Sequence, residues 1–504
     1  MLQYRLYGGG HLPAGLEGFL KASGNIGNVV GQLFFGAPER LLVRADVNSP
    51  PSIGFAADRF GRKAVYGKEL MLIIVATILC ISDPTGKLSP ASSLIYLACF
   101  RILVGVGVGG DYPMAASVTS DRTSVRKRGV MLAYIVTNQG WGNLIGGIVT
   151  LIVLACYRHV METQGETSKV DGAWRIIIGI SLVPAFGTLY QRLTLPESTR
   201  YLNETKVYQD IHDEVPKAEA QLEKIATNPT SASEKEQEEK VSAIVCNATG
   251  DIEATPVPEQ TISLPSNRKA HFRECLLYFR EWRHFKLLLG TSVCWFLVDI
   301  AFYGVNLNQN FVLQQIGFDG ASGTPWHRLW KISIGDIIIA VLGFVPGYWV
   351  SVLSVEYLGR KWIQIQGFLL EALFLGILAG KFHSFSTASF VVCFAFLQVR
   401  HQFFFNFGAN TTVFLYPAEL FPTRYRATAH GISAAIGKSG AIISSLGFNS
   451  LSNRIGTNNV LWIFTGCCLL GAAFTLLLPE VKGRDPDVIF DEELRQERMN
   501  LDRE

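Results

Sequence analysis

Trp295, Asp299 and Tyr303 follow one another at four-residue intervals within an otherwise apolar stretch. On a helix that spacing puts an indole N–H, a carboxyl and a phenol in one row on one face. Such a row can hold a small polar ligand, and its carboxyl can take up and release a proton. Glu69, Arg101, Asp111, Glu371 and Lys438 also fall inside apolar stretches. Ionisable groups at membrane depth are costly, so they face a cavity or one another. The plainer alternatives are a packing stripe with one hydrogen-bonded acid, and structural ion pairs for Arg101 and Lys438. Glu371 has no assigned role. No nucleophile–base set occurs, and no Cys/His spacing suits a metal. The chemistry is therefore ligand binding and proton transfer, with no enzyme activity and no cofactor.

These residues need helices to carry them. Of the 504 residues, 49% are hydrophobic and only 17% charged, against about a quarter charged in soluble domains. The polar residues are concentrated in short stretches and one long one, which excludes an ordinary soluble enzyme and a disordered chain. A formal charge of +3 is too small to suggest a nucleic-acid partner. Apolar runs of spanning length predict about eleven membrane helices, near 15–36, 65–82, 93–118, 129–156, 174–194, 285–307, 332–355, 362–380, 387–416, 428–450 and 459–478. The chain reads as an all-α polytopic membrane protein. The first span is rich in Gly and Asn and reads as an interior helix, because small residues let helices approach closely. The nine Cys lie mostly in apolar segments and read as small buried residues.

Residues 197–283 are polar, with a charged run from Glu234 to Lys240, and read as a largely disordered linker. They separate an N-terminal bundle, 1–196, from a C-terminal bundle, 284–480, followed by a tail, 481–504. Arg59, Arg62 and Lys63, then Arg122, Arg126, Lys127 and Arg128, then Arg360 and Lys361, then Arg424 and Arg426 follow alternate spans. Basic loops face the cytoplasm, so the linker and Glu504 are expected inside and Met1 outside.

An internal repeat supports two related halves. Asp58, Arg59, Gly61, Arg62 and Lys63 form a pattern matched by Glu356, Gly359, Arg360 and Lys361, and Pro196-Glu197 is matched by Pro479-Glu480. An acid, a glycine turn and bases can lock neighbouring helix ends through charge pairs and helix dipoles. Parallel repeats of this kind occur in transporters that rock one half against the other. The run Gly105, Gly107, Gly109 and Gly110 looks superficially like a dinucleotide fingerprint, but no βαβ unit surrounds it.

These motifs resemble the major facilitator superfamily, whose first-half loop reads GxxxDRxGR[RK]. Gly109-Gly110-Asp111-Tyr112-Pro113, the stripe from Trp295 to Gly304, Asn306 to Gln309, and the long run from Phe405 through Pro417, Glu419 and Arg426 to Lys438 narrow the resemblance to fungal proton-coupled phosphate permeases. It covers nearly the whole chain outside the linker. It implies a phosphate:proton symporter of the plasma membrane, built of two helical bundles. It also implies that phosphate is held by Tyr112, Gln139, Trp295, Asp299, Tyr303 and Asn410 with Lys438 beside it, and that Asp299, Asp111 and Glu69 move protons. Asp58, Arg59, Arg62, Arg101, Glu356 and Arg360 are then structural or gating charges. An ionised Asp299 would accept a hydrogen bond from a protonated phosphate oxygen, which sulfate cannot donate. The family has twelve spans, and this chain starts in what resembles the loop after the first, so that helix is expected to be missing. Residues 37–54 read as an insertion, because Gly36 joined to Phe55 restores the family pattern. Val399 to Gln402 interrupt the ninth span and predict a break, bulge or shifted register near 399–402. Other readings are a transporter of a glycerophosphodiester or another organic anion, a non-transporting phosphate sensor, and an inactive truncated product.

Overall fold

The computed structural model describes residues 1–8, 12–36, 67–162, 170–195, 275–307, 323–381 and 399–501. Among them every regular element is helical. Asp58, Arg59, Arg62, the segment 37–54 and most of the 197–283 stretch lie outside the described residues. The helices are α1 (Leu2–Tyr7), α2 (Ala14–Gly36), α3 (Lys68–Ile81), α4 (Pro90–Arg122), α5 (Val125–Cys156), α6 (Arg158–Glu162), α7 (Val170–Gly179) and α8 (Leu182–Leu193) in the first half. The second half contains α9 (Trp282–Asn306), α10 (Pro325–Ile339), α11 (Val345–Leu358), α12 (Arg360–Lys381), α13 (Ala409–Leu420), α14 (Thr423–Ile455), α15 (Thr457–Thr475) and α16 (Pro486–Leu501). Met1–Ser198 and Phe272–Glu504 together make one packed unit.

Local chemistry sets the helix ends. Ser89 accepts the N–H of Ser92 and Pro90 opens α4; Thr324 accepts the N–H of His327 and Pro325 opens α10. A hydroxyl cap satisfies an orphan donor, and proline costs nothing in the first turn. Pro346 has no N–H to continue the ladder, and the chain makes a π turn over Ala340–Phe344 where α10 runs into α11.

Among the described residues, seven stretches are long and apolar enough to cross a bilayer by themselves: α4, α5, α7 with α8, α9, α10 with α11, α12 and α15. Of the spans that fall short of that standard, α2, α13 and α14 pack against several other helices, whereas α3 is short and leaves Met71, Val75 and Ile78 exposed. Helix α2 lies against α4 with glycines on both sides. A methyl group at Gly27 or Gly31 would overlap the backbone of α4, and one at Gly105 or Gly109 the backbone of α2. The glycine run of α4 is thus a close-packing surface. Helix α14 carries Lys438 and many small residues toward α2 and α9.

Two expected spans differ in detail. The fifth is two helices, α7 and α8, with the chain turning at Ile180–Ser181. In the ninth, residues 399–406 are helical and the break comes later, at Phe407 and Gly408. The cause is packing: Gly408 sits on Gly367 of α12, and a side chain on either would overlap the other's backbone. Helical register turns Arg400 outward and buries His401 and Gln402, so Val399–Gln402 need no break. Residues 275–283, part of the polar stretch in sequence, are ordered at their end: the Tyr278 ring stacks on His284 at 3.9 Å and on Tyr425 at 4.7 Å.

Candidate functional site: a polar cavity between the halves

Helix α9 presents Trp295, Asp299 and Tyr303 to a cavity of about 190 Å³. Asp111 and Tyr112 of α4 and Gln139 of α5 line it from the first half, with Asn410 of α13 and Lys438 of α14 from the second. Phe302 and Phe414 supply apolar wall. All seven residues expected at a ligand site thus meet in one space. Asp299 and Lys438 are almost fully buried, and Lys438 Nζ donates to Asp299 Oδ2 at 2.9 Å and to the Tyr303 hydroxyl at 3.0 Å. The ammonium also lies over the Tyr303 ring, 4.6 Å from its centroid, where the ring's negative face attracts it. The indole of Trp295 fits because position 437 is glycine; a Cβ there would overlap it.

One further residue holds the cavity together. Tyr348 of α11 is fully buried. Its hydroxyl donates to Gln139 Oε1 at 3.0 Å and accepts from Asn410 Nδ2 at 2.8 Å, and Asn410 Nδ2 also reaches Asn406 Oδ1 at 2.9 Å. Tyr348 therefore ties α5 to α13 across the two halves. A neutral tyrosine in an apolar span carries little signal in a search for charges, which is why sequence reasoning passed over it.

Glu69 and Asp111 form a second cluster around Arg192. Gly67 N–H donates to both Glu69 carboxyl oxygens at 2.8 Å. The Arg192 guanidinium pairs with Asp111 and lies 3.5 Å from Glu69. A line of charge thus runs from Glu69 through Arg192 to Asp111 at the cavity wall. Arg101, expected to pair with an acid, meets a hydroxyl instead. Ten residues of helix separate it from Asp111, about 15 Å of rise, and its Nε donates to Ser23 Oγ at 3.3 Å. Arg192 lies in α8, within the fifth predicted span, and its charge was the signal that could have marked it.

At one end of the bundle the repeat motif closes a network. Arg360 donates to Glu356 at 2.8 Å and to both Glu419 oxygens at 2.8 Å. Glu480 accepts the first N–H groups of α12, from Arg360 and Lys361, each at 3.0 Å. Lys361 Nζ covers the carbonyls of Leu476 and Leu478 beyond α15. Gly129 of α5 lies directly under the Arg360 guanidinium, and Asp121 of α4 meets Arg426 of α14 at 2.6 Å. The two halves are therefore joined at this end as well as around the cavity.

Residues 51–489 match the model of the sugar (and other) transporter family. The chain belongs to that family. A Schizosaccharomyces pombe protein provisionally named an inorganic phosphate transporter is 46% identical, over 96% of this chain and 80% of that one. The inorganic phosphate transporter PHO84 of Saccharomyces cerevisiae is 36% identical over 96% of this chain and 78% of its own. The repressible high-affinity phosphate permease of Neurospora crassa is 34% identical over 94% and 79%. Among solved structures, the major facilitator superfamily proton:xylose symporter XylE of E. coli shares the fold at a TM-score of 0.63 and 18% identity, covering 96% of this chain and 92% of that one. The transporter is thus a multi-pass helical membrane protein of the major facilitator fold.

Proposed function

We propose that this transporter carries inorganic phosphate inward together with protons, by alternating access of the bundles 1–196 and 284–480 about the cavity. The observation that carries the reading is the buried Asp299–Lys438 pair facing a small polar cavity. With Asp299 ionised, the two charges cancel, and an arriving phosphate monoanion would add an unmatched buried charge. Protonating Asp299 frees Lys438, which then pairs with the anion and leaves the loaded cavity neutral. Proton and phosphate uptake are thereby linked by charge balance, because unmatched buried charge is costly. Trp295 N–H, Tyr112, Tyr303, Gln139 and Asn410 offer donors to the remaining oxygens. Arg192 is shared by two acids, Asp111 and Glu69, so one of them needs a proton for neutrality, and this acid pair serves as a relay into the cavity.

The cavity is smaller than the roughly 300–1,000 Å³ of pockets for drug-sized ligands, which favours a single phosphate over a glycerophosphodiester. The phosphate-transporting relatives support the same cargo. We place the protein in the plasma membrane with 197–283 and 481–504 cytoplasmic. The ends of the halves, joined through the Asp121–Arg426 pair and the packing of Gly129 under Arg360, release when the bundles rock. No bond of the cargo is made or broken, so the protein is a carrier and not an enzyme. Uptake of labelled phosphate in a transport-deficient cell tests this. Accumulation that rises as external pH falls and resists excess sulfate is expected. Binding without accumulation would instead make the protein a sensor, and accumulation of a glycerophosphodiester in place of phosphate would overturn the cargo.

A further inference from the structure

Glu371 of α12 and His401 are each 0% exposed in the second half, outside the cavity. Among the described residues, no nitrogen or oxygen donor meets either carboxyl oxygen of Glu371, whose one hydrogen-bonding neighbour is the weakly donating Cys468 thiol, and neither ring nitrogen of His401 has a hydrogen-bond partner. Glu371 Oε1 stands 3.8 Å from His401 Nε2. The other titratable groups turned to Glu371 are the Cys467 and Cys468 thiols of α15, and Arg400 beside His401 is on the outer face. We propose that Glu371 and His401 form a proton-binding site, separate from the cavity, that holds one proton while the helices are packed and exchanges it when they part during transport.

In these surroundings a carboxylate met only by a thiol, or a lone imidazolium, has no opposite charge to match it. One proton on the pair, carried as a carboxylic acid beside a neutral imidazole, leaves no net charge. Removing that proton leaves an anion, and adding a second leaves a cation. The packed form therefore fixes the proton count at one, and only a helix movement that admits water changes it.

The site is mechanically linked to the cavity. Residues 399–406 form one helical segment carrying His401, Gln402, Phe405 and Asn406. The His401 ring packs on Phe405 at 5.6 Å, and Phe405 on Phe302, in the cavity wall, at 4.9 Å. Gln402 donates to Asn306 at 2.7 Å and Asn406 accepts from Asn410, a cavity residue. A shift that opens the cavity around Asn410 thus also moves His401 against Glu371.

The proposal rests on the proton-coupled transport reading, but one of its tests does not need phosphate. Infrared spectra of the purified full chain should show a protonated-carboxyl band that Glu371→Gln removes and that His401→Gln moves to a different pH range. In reconstituted vesicles, Glu371→Gln should make phosphate uptake depend less steeply on pH, with one proton fewer moved per phosphate. The apolar double variant, Glu371→Leu with His401→Phe, keeps the test open if single variants fold poorly, because replacing a buried pair by apolar groups is commonly tolerated. It should fold and show the same shallower pH profile. If the band survives Glu371→Gln, or if the double variant takes up phosphate with the wild-type pH profile and proton count, the pair is structural and the proposal is overturned. If the band behaves as described but no phosphate moves, the transport reading fails and the proton site stands.

Discussion

Asp299→Asn is the substitution that separates the two jobs assigned to the cavity carboxyl. The asparagine fits the same space but carries no charge and cannot titrate. Two opposite charges 2.9 Å apart attract with roughly 6 kcal/mol at an effective dielectric of about 20. The net cost of breaking a buried pair by removing one partner is smaller, about 3–5 kcal/mol. The variant should therefore unfold in detergent at a clearly lower temperature than wild type. Phosphate should restore part of that loss, because Lys438 is then unpaired and an anion completes it. Each 1.4 kcal/mol recovered on binding is about tenfold in affinity, so the variant should bind phosphate at least tenfold more tightly than wild type. It should nonetheless move none, since Lys438 no longer has a partner to return to when phosphate leaves. The assays are thermal unfolding of purified protein with and without phosphate, and uptake of labelled phosphate. Near-normal, pH-dependent uptake by the variant would refute the charge-balance argument. So would a variant that phosphate stabilises no more than it does wild type.

Other outcomes follow from the same geometry. Tyr348→Phe removes the hydroxyl joining Gln139 and Asn410 and leaves buried groups unsatisfied at about 1–3 kcal/mol. Half-saturation for phosphate should rise by roughly tenfold while surface expression is unchanged. Arg360→Ala leaves Glu419 and Glu356 without their cation, and the melting temperature of the purified protein should fall by an amount matching about 3–5 kcal/mol; Glu419→Gln with Arg360→Gln together should recover much of it. Gly437→Val pushes into the Trp295 indole and should abolish phosphate binding, measured by thermal shift, without removing the protein from the membrane. Arg192→Gln strips Asp111 and Glu69 of their shared cation and should alter the pH dependence of uptake, read as uptake rate against external pH.

The stripe of Trp295, Asp299 and Tyr303 was legible in the sequence because a four-residue interval survives any detail of packing. The same holds for Lys438, whose charge marks it in an otherwise small-residue helix. What the sequence hid was pairing. Arg101 was expected to pair with an acid but meets Ser23, and the cation beside Asp111 is Arg192 of α8. Tyr348 escaped because its importance lies in two hydrogen bonds between separate helices rather than in its type. The interruption of the ninth span followed packing rather than charge. Gly408 breaks the helix where it meets Gly367, whereas Arg400 needs only an outward register. The Gly-rich first span read as a close-packing interior helix, as α2 proves to be, but its partner glycines on α4 could not be named from spacing alone. Spans such as α14 score poorly for hydropathy because they are polar and small-sided where they face the cavity or a neighbour.

The central claim is that phosphate and protons cross together through the cavity at Asp299 and Lys438. Purified protein reconstituted in vesicles, given an inward proton gradient and labelled phosphate outside, tests it most directly. Phosphate should accumulate above its external concentration, the outside should turn alkaline in fixed proportion, and both signals should vanish together in Asp299→Asn. Phosphate entering without proton movement, or protons moving equally well without phosphate, would contradict the account.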